Sequence, residues 1–325
     1  MSGLRAFIAI HNTTHGPGLG GCRMWSYASE EEALTDALRL SQGMSYKHAV
    51  AGTPYGGAKA VILGNPREEK TEDLLRAFGR CVESLGGRYV TAEDVGMSVN
   101  DMVCIRDQTQ YVAGLPTSMG GSGDPSPVTA YGVFCGLQAA VAFRHDRPYD
   151  PYAKLFGTTV AVQGLGNVGY ALCQYLHKAG AQLIVTDINQ PRVEQACREF
   201  SATATEAEAI YDTDADVFAP CALGGALSSE TVPRLKASIV AGAANNQLAE
   251  PGIAAMLARR EVLYAPDYVI NAGGIINISC EGESYSLEQA MARTEQIGGT
   301  LTEIFHKSSD TGRSTADISD EIARR

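Results

Sequence analysis

Residues 158 to 187 restrict the possible folds more than any other stretch of the chain. Thr158 to Gln163 (TTVAVQ) reads as a short apolar strand and runs directly into Gly164-Leu165-Gly166-Asn167-Val168-Gly169. Tyr170 to Lys178 continues as a helix, and the next strand, Leu183 to Thr186, ends at Asp187. Gly164 permits a tight turn, Gly166 lets the backbone approach a pyrophosphate, and Gly169 lets helix and strand pack closely. The helix N-terminus adds free N–H groups and a partial positive charge. Asp187 stands eighteen residues past Gly169, where a carboxylate accepts hydrogen bonds from ribose hydroxyls and repels a 2'-phosphate. Without its context the glycine triplet would be only a turn. With strand, helix and terminal acid in register it predicts a Rossmann-type, doubly wound nucleotide domain, and NAD in preference to NADP.

The rest of the composition fits a chain of two packed domains. It has 325 residues, 45% hydrophobic and 19% charged, so it is too apolar for disorder and long enough for two cores. A net charge of -11 with a pI near 5.1 and no basic run excludes nucleic acid and anionic membrane as partners. No apolar run approaches the ~18 residues of a membrane helix, and the first ten residues lack the marks of a signal peptide. A cytoplasmic location is therefore expected. The eight cysteines form no CxxC or CxxH pair, so they are expected as reduced, mostly buried thiols. No carboxylate or second histidine stands at ligand spacing from His11, His15 or His48, and no metal is expected.

Strand and helix signals alternate along the whole chain, which points to an α/β fold with an α/β substrate (catalytic) domain beside the nucleotide domain and a cleft between them. Phe7 to His11 is a strand. Ser29 and Glu32 form a capping box that opens a helix running toward Lys47, with Leu34, Leu38 and Leu40 expected as its apolar stripe. Ala60 to Leu63, a helix over Thr71 to Leu85, and a strand from Arg88 to Thr91 follow. The glycine- and proline-rich segment Gly114 to Pro127 breaks both helix and strand. The expected division is a substrate domain over residues 1–128, an NAD-binding domain over 129–300, and a C-terminal helical segment, 301–325, packing back on the substrate domain.

One stretch before the glycine-rich break needs a chemical account. In MSYKHAVAGTPYGGAK, residues 44 to 59, Lys47 and Lys59 are twelve residues apart in one of the least charged parts of the sequence. A lysine at a helix C-terminus ordinarily answers the helix dipole, and Asp94, before Gly96, ordinarily caps a turn. The surrounding blocks say more. Gly18-Leu19-Gly20-Gly21-Cys22-Arg23-Met24, Met44-Ser45-Tyr46-Lys47, Gly56-Gly57-Ala58-Lys59, Thr91-Ala92-Glu93-Asp94-Val95-Gly96, Gly121 to Ala130, the nucleotide turn, Gly242 to Gln247 and Asn271-Ala272-Gly273-Gly274 occur in one order over nearly the whole chain. In that order they resemble the amino-acid dehydrogenases of the glutamate, leucine, phenylalanine and valine group.

The resemblance implies a role for each residue that matches a block. Lys47 binds the substrate α-carboxylate, helped by backbone N–H groups near Gly20 and Gly21. Lys59 does the proton work, with Lys47 as the neighbouring cation that would keep it partly neutral, and Asp94 shuttles protons beside it. Asn246 positions substrate and Asn245 contacts the cofactor, together with residues 164–169 and Asp187. The side-chain pocket maps onto Leu19, Ala92, Ile275 and Ile278, with Val128 and Thr129 nearby. All but Thr129 are apolar, so a branched aliphatic side chain fits and a carboxylate, costly to bury unpaired, does not. The implied reaction is reversible NAD-dependent oxidative deamination of leucine, valine or isoleucine to the 2-oxo acid and ammonia. Two alternatives stand: an aromatic amino acid such as phenylalanine or tryptophan as substrate, and a non-catalytic NAD- or amino-acid-binding homologue.

Three departures from the family pattern bear on the site. Ala58 stands where glycine usually precedes the catalytic lysine, a concern if the position needs a positive φ. Asp124 stands where asparagine is common, and Cys280 and Gly282 follow Ile278 in an atypical segment. The family uses its termini in subunit contacts, and this chain is short at both ends relative to it. A homo-oligomer is expected, a dimer rather than the family's larger assembly.

Overall fold

The structure is a computed structural model that describes residues 2–282 and 285–324, and it divides into two compact units. The first runs to Pro125 and regains Ile275–Gln289; the second holds Ser126–Gly274 and Ala290–Ala323.

In the first unit β1 (Ala6–Asn12), β2 (Gly18–Trp25), α1 (Glu30–Val50), β3 (Gly56–Leu63), α2 (Glu72–Ser84), β4 (Tyr89–Glu93) and α3 (Val99–Arg106) follow in order. The strands form one sheet in the order β1-β3-β2-β4, with β1 antiparallel to β3 and the others parallel. β3 is buried along its whole length, and its side chains alternate faces as the pleat requires. Ala58, Ala60 and Ile62 join Cys22, Met24, Phe78 and Met102 under α2 and α3. Val61 and Leu63 pack with Ala33 and Ala37 of α1 on the other face. By the same alternation Lys59 faces α1.

Ser29 caps α1 as its sequence predicts, accepting from the Glu32 N–H at 3.1 Å. The expected leucine stripe does not form. Leu34 and Leu38 are exposed, and the buried face is Ala33, Ala37, Ser41 and His48. Close packing explains this: a Cβ on Gly57 of β3 would stand 2.1 Å from the Ser45 nitrogen. A helix that near a sheet has room only for small side chains.

The second unit opens with α4 (Ser126–Arg144), followed by β5 (Thr159–Gln163), α5 (Asn167–Ala179), β6 (Gln182–Thr186), α6 (Gln190–Phe200), β7 (Thr203–Ala204), β8 (Val217–Pro220) and β9 (Ile239–Val240). Then come α7 (Ile253–Arg259), β10 (Leu263–Tyr264), α8 (Asp267–Ile270), α9 (Gly273–Ser279), α10 (Leu287–Thr311) and α11 (Thr315–Ala323). α9 begins in this unit and ends in the first. The sheet order is β10-β9-β8-β5-β6-β7, all parallel. Chain order reverses between β5 and β8, which is the doubly wound pattern expected from the glycine turn.

α4 is long and apolar enough, by length and composition, to cross a membrane, which the search for an unbroken apolar run did not reveal. Here it is mostly buried protein core. Its rings Tyr131 and Phe134 meet Tyr175 of α5, and a Cβ on Gly136 would touch Leu301 of α10. A helix covered on several sides is apolar nearly all round.

The C-terminal helices lie elsewhere than expected. α11 belongs to the second unit: Thr315 Oγ1 donates to the Tyr264 carbonyl at 2.7 Å, the Tyr268 hydroxyl donates to Ser319 Oγ at 2.8 Å, and Ile318 is buried. It is residues 275–289 that return to the first unit, and the boundary falls at Pro125 rather than at 128. None of the eight cysteines forms a disulfide among the described residues, but only Cys22, Cys135 and Cys173 are buried; Cys81 is exposed and the other four are half-buried.

Candidate active site

β3 and the end of β4 bring the two predicted catalytic residues together. Lys59 is 6% exposed, and its Nζ lies 2.8 Å from Asp94 Oδ2. Asp94 follows the last residue of β4, and register explains the meeting. Gly21 pairs with Ala92 and Cys22 with Glu93, so Asp94 emerges next to Arg23. A Cβ on Gly21 would stand 2.8 Å from the Asp94 Cβ, and only glycine leaves the carboxylate that seat.

Asp94 is held from two sides. Arg23 Nε donates to Asp94 Oδ2 at 3.0 Å, and Arg23 Nη1 donates to Asp36 Oδ2 of α1 at 3.1 Å. Tyr27 closes the chain, its hydroxyl donating to Asp36 Oδ2 at 2.8 Å. Burial raises the Asp94 carboxyl, but Lys59 and Arg23 outweigh burial and hold it below the usual carboxylate range. The structure sets an anion, Asp94, directly against Lys59. Lys47 itself is half-buried in the last turn of α1.

Beside Lys47, His48 is fully buried and bonded through Nδ1 to Thr53 Oγ1 at 2.7 Å and through Nε2 to the Leu19 carbonyl at 3.2 Å. Burial pushes it down to about 4; the bond to the Leu19 carbonyl opposes this, and the Lys47 charge adds a smaller push downward. It is a neutral core imidazole that ties α1 to β2. The pairing of β2 with β3 is interrupted between Leu19 and Cys22, at Gly20 and Gly21. Ala58 needs no unusual backbone: it lies in regular strand, without positive φ.

The apolar wall forms as well. Leu19 and Ala92 share one buried cluster with Ala113, and Ile278, Val90 and Tyr55 pack against it. Ile275 is half-buried on α9. Thr129 and Asn246 belong to the second unit. Thr129 abuts the start of α9, where a Cβ on Gly273 would lie 2.9 Å from its Cα. Asn246 is exposed at φ +50, a left-handed backbone that asparagine tolerates, and its carbonyl accepts the Gly225 N–H at 2.8 Å.

The glycine turn has the geometry a dinucleotide needs. Gly164 has φ +99, and a Cβ on Gly169 would meet the Gly164 carbonyl at 2.0 Å, while a Cβ on Gly166 would meet nothing within 4 Å. The first and third glycines are thus required by the protein, and the second leaves open space. Asn167 is exposed, Val168 half-buried and Leu165 buried. Asp187 accepts the Leu165 N–H at 2.5 Å and the Asn189 N–H at 2.7 Å, so the acid is held at the mouth of the turn.

Asn271 supplies a further polar group. Its Nδ2 donates to the Ala243 carbonyl at 3.1 Å and to Asn245 Oδ1 at 2.8 Å. Its buried Oδ1 has no partner. A buried acceptor left open next to Asn245 suits an amide donor from a cofactor. No cluster of His, Cys, Asp or Glu able to hold a metal occurs among the described residues.

Sequence reasoning did not single out Arg23, Asp36, Tyr55, Ala113 or Asn271. Arg23 and Asn271 stood inside the quoted blocks, where a side chain with no obvious chemistry was passed over. Asp36, Tyr55 and Ala113 are marked only by what they touch.

Comparisons with known proteins agree with this geometry. A family model described as "Glu/Leu/Phe/Val dehydrogenase, dimerisation domain" matches residues 1–111, and one described as "Glutamate/Leucine/Phenylalanine/Valine dehydrogenase" matches residues 120–190 and 186–321. The chain is 51% identical over 324 residues to a leucine dehydrogenase of Bacillus cereus, covering 99% of this chain and 87% of that protein. It is 46% identical over 327 residues to a valine dehydrogenase of Streptomyces virginiae, covering 100% and 90%. Its structure resembles the crystal structure of L-tryptophan dehydrogenase from Nostoc punctiforme with a TM-score of 0.87 at 47% identity, over 99% of this chain and 91% of that one.

Proposed function

The chain belongs to the Glu/Leu/Phe/Val dehydrogenase family, and we propose that it catalyses the reversible NAD-dependent oxidative deamination of a branched-chain L-amino acid to its 2-oxo acid and ammonia. The observation that carries this reading is the pairing of buried Lys59 with half-buried Asp94 beside strands whose residues Leu19 and Ala92 form an apolar wall. A module that only bound ligand would have no use for such an acid–base pair.

When bound, NAD supplies the hydride acceptor, and the turn at residues 164–169, Asp187, Asn245 and Asn271 are the groups that would hold it. Lys47 takes the substrate α-carboxylate as a point charge, with the Gly20 and Gly21 peptides beside it. Asp94, kept ionised by Lys59 and Arg23, accepts hydrogen bonds from the substrate nitrogen. A substrate ammonium at that carboxylate meets the like charge of Lys59, and repulsion favours loss of its proton, which the oxidation requires. Lys59 passes its own proton to Asp94 and is then neutral; once the substrate carries an iminium, Lys59 takes a proton from the attacking water. It then passes one to nitrogen as the carbinolamine collapses and ammonia leaves.

Leu19, Ala92, Ile275 and Ile278 would receive the side chain, and Thr129 and Asn246 are further substrate-binding candidates. The same reading includes a cytoplasmic location, where an NAD pool is available, and assembly as a homo-oligomer. The dimerisation label of the model matching residues 1–111 supports the latter.

Absorbance of NADH followed with a panel of L-amino acids at alkaline pH tests the proposal. We expect leucine, valine and isoleucine to turn over. Lys59→Ala should fall by roughly 10²- to 10⁴-fold, the usual range for a lost general acid–base. Phenylalanine or tryptophan far ahead of leucine would replace the aliphatic reading with the aromatic one. No turnover with any amino acid would leave only a binding role.

A further inference from the structure

The segment that carries Ile278 ends on an anchored carboxylate. The Glu281 N–H donates to the Ile278 carbonyl at 3.1 Å, so the two residues are linked through one turn of backbone. The Glu281 side chain accepts four hydrogen bonds. Ser122 donates to Oε1 through its N–H at 2.8 Å and through Oγ at 2.6 Å, and the Gly114 N–H lies 3.1 Å from each oxygen. Gly114 and Ser122 are both buried.

What those donors are attached to gives the anchor its meaning. Gly114 directly follows Ala113, whose N–H donates to the Thr91 carbonyl at 2.8 Å, while the Thr91 N–H donates to Tyr111 at 3.0 Å. Residues 111–113 therefore extend the sheet beside β4 and hold Ala113 next to Ala92 in the apolar cluster. One wall of that cluster is fixed by the sheet. The other, Ile278, comes from a segment more than 150 residues away in sequence and is joined to the first by the Glu281 carboxylate. Tyr55 packs on the same cluster, and burial, followed by the charge of Glu281, raises its phenol.

We infer that Glu281, acting through the Gly114 and Ser122 donors, is a positioning residue for substrate selectivity: it fixes how far Ile278 stands from Leu19, Ala92 and Ala113, and so which side chains the pocket accepts. This deepens the deaminase reading and rests on it for the identity of the pocket. The carboxylate is suited to the task because an ionised acid only accepts, and all of its partners donate. Glutamine in its place would turn an N–H toward another N–H.

The test compares wild type, Glu281→Gln and Ser122→Ala, with Glu281→Ala as the more severe change. Steady-state kinetics on leucine, valine and phenylalanine give KM and kcat separately. Calorimetric binding of 4-methyl-2-oxopentanoate against phenylpyruvate gives selectivity without turnover. For Glu281→Gln and Ser122→Ala we expect KM for leucine to rise about tenfold with kcat within about twofold, and the preference for leucine over phenylalanine to shrink by roughly tenfold, the scale of a misplaced methylene.

A proportional loss on all substrates, or an unchanged leucine-to-phenylalanine ratio in both assays, overturns the inference and leaves Glu281 a structural tie. Absence of turnover in wild type would instead strike the deaminase reading, and the 2-oxo acid binding ratio would still decide the role of Glu281. Melting curves identify any variant that has lost its fold, in which case the Ser122→Ala result decides.

Discussion

Arg23 donates to Asp94 and to Asp36 with one guanidinium, and its removal has a signed consequence. Asp94 is largely enclosed, and burial alone would raise its carboxyl; Lys59 and Arg23 reverse that. Cys22 on β2 and Tyr89 and Glu93 on β4 also lie within reach of its charge, and none of these three is a cation. Arg23→Met removes one of the two cations that hold it down, so the Asp94 carboxyl must rise from its depressed value. The folded-state value is depressed in wild type. Its stabilising share is therefore present above the unfolded carboxylate range and disappears as pH falls through the lower folded value. We expect Arg23→Met to move the acid limb of the kcat/KM profile to higher pH and to lower kcat/KM by about 10- to 100-fold. An acid limb that stayed in place would show that Arg23 does not act through Asp94.

At the scale of elements, the approach of α1 to β3 sets the site, because it brings the last turn of α1, with Lys47, over the sheet that carries Lys59. Gly57→Ala tests it. The new Cβ would lie 2.1 Å from the Ser45 nitrogen and 2.5 Å from its Cα, backbone atoms that cannot move without moving the helix. Overpacking of this kind costs typically 1 to 3 kcal/mol or more. We expect a lower urea midpoint with an unchanged m value, and a midpoint equal to wild type would mean that α1 has more freedom than this contact allows. The same contact shows what sequence could and could not tell. Lys59 was legible because it stands in one of the least charged stretches of the chain and inside a block that resembles the family. The face of α1 was misjudged because leucines count for more than alanines in any reading of hydrophobic period, and here close approach favours the alanines. The dinucleotide turn was legible in detail because its whole logic is local: strand, three glycines, helix and acid within thirty residues. Arg23 with Asp94, and Glu281 with Ser122, are pairings 71 and 159 residues apart, and nothing in either partner's neighbourhood points to the other. The seat of α11 was not legible for a related reason, since Ile318 and Thr315 are ordinary helix residues until Tyr264 is seen beneath them.

Each unit holds a core of its own, around Phe78, Met102 and Tyr89 in the first and around Phe218, Leu227 and Val240 in the second, and each carries a different part of the chemistry. The sequence provides a means of watching them separately. Trp25 is the chain's single tryptophan; it lies at the end of β2 in the first unit and is half exposed. Its fluorescence therefore follows the unfolding of the unit with Lys59 and Asp94, while far-ultraviolet circular dichroism follows both. A ligand that binds only the native state adds RT ln(1 + [L]/Kd), about 2.7 kcal/mol at a hundredfold excess over Kd. Every cofactor group named above, residues 164–169, Asp187, Asn245 and Asn271, belongs to the second unit. We expect NAD at that excess to raise the dichroism midpoint and to leave the Trp25 midpoint nearly unchanged, with the two probes separating as NAD is added. Leucine in the absence of NAD should act in the opposite sense, moving the Trp25 midpoint because Lys47, Lys59 and the apolar wall lie with that residue. If NAD moved the Trp25 midpoint as far as the dichroism midpoint, the assignment of cofactor binding to the second unit alone would be wrong.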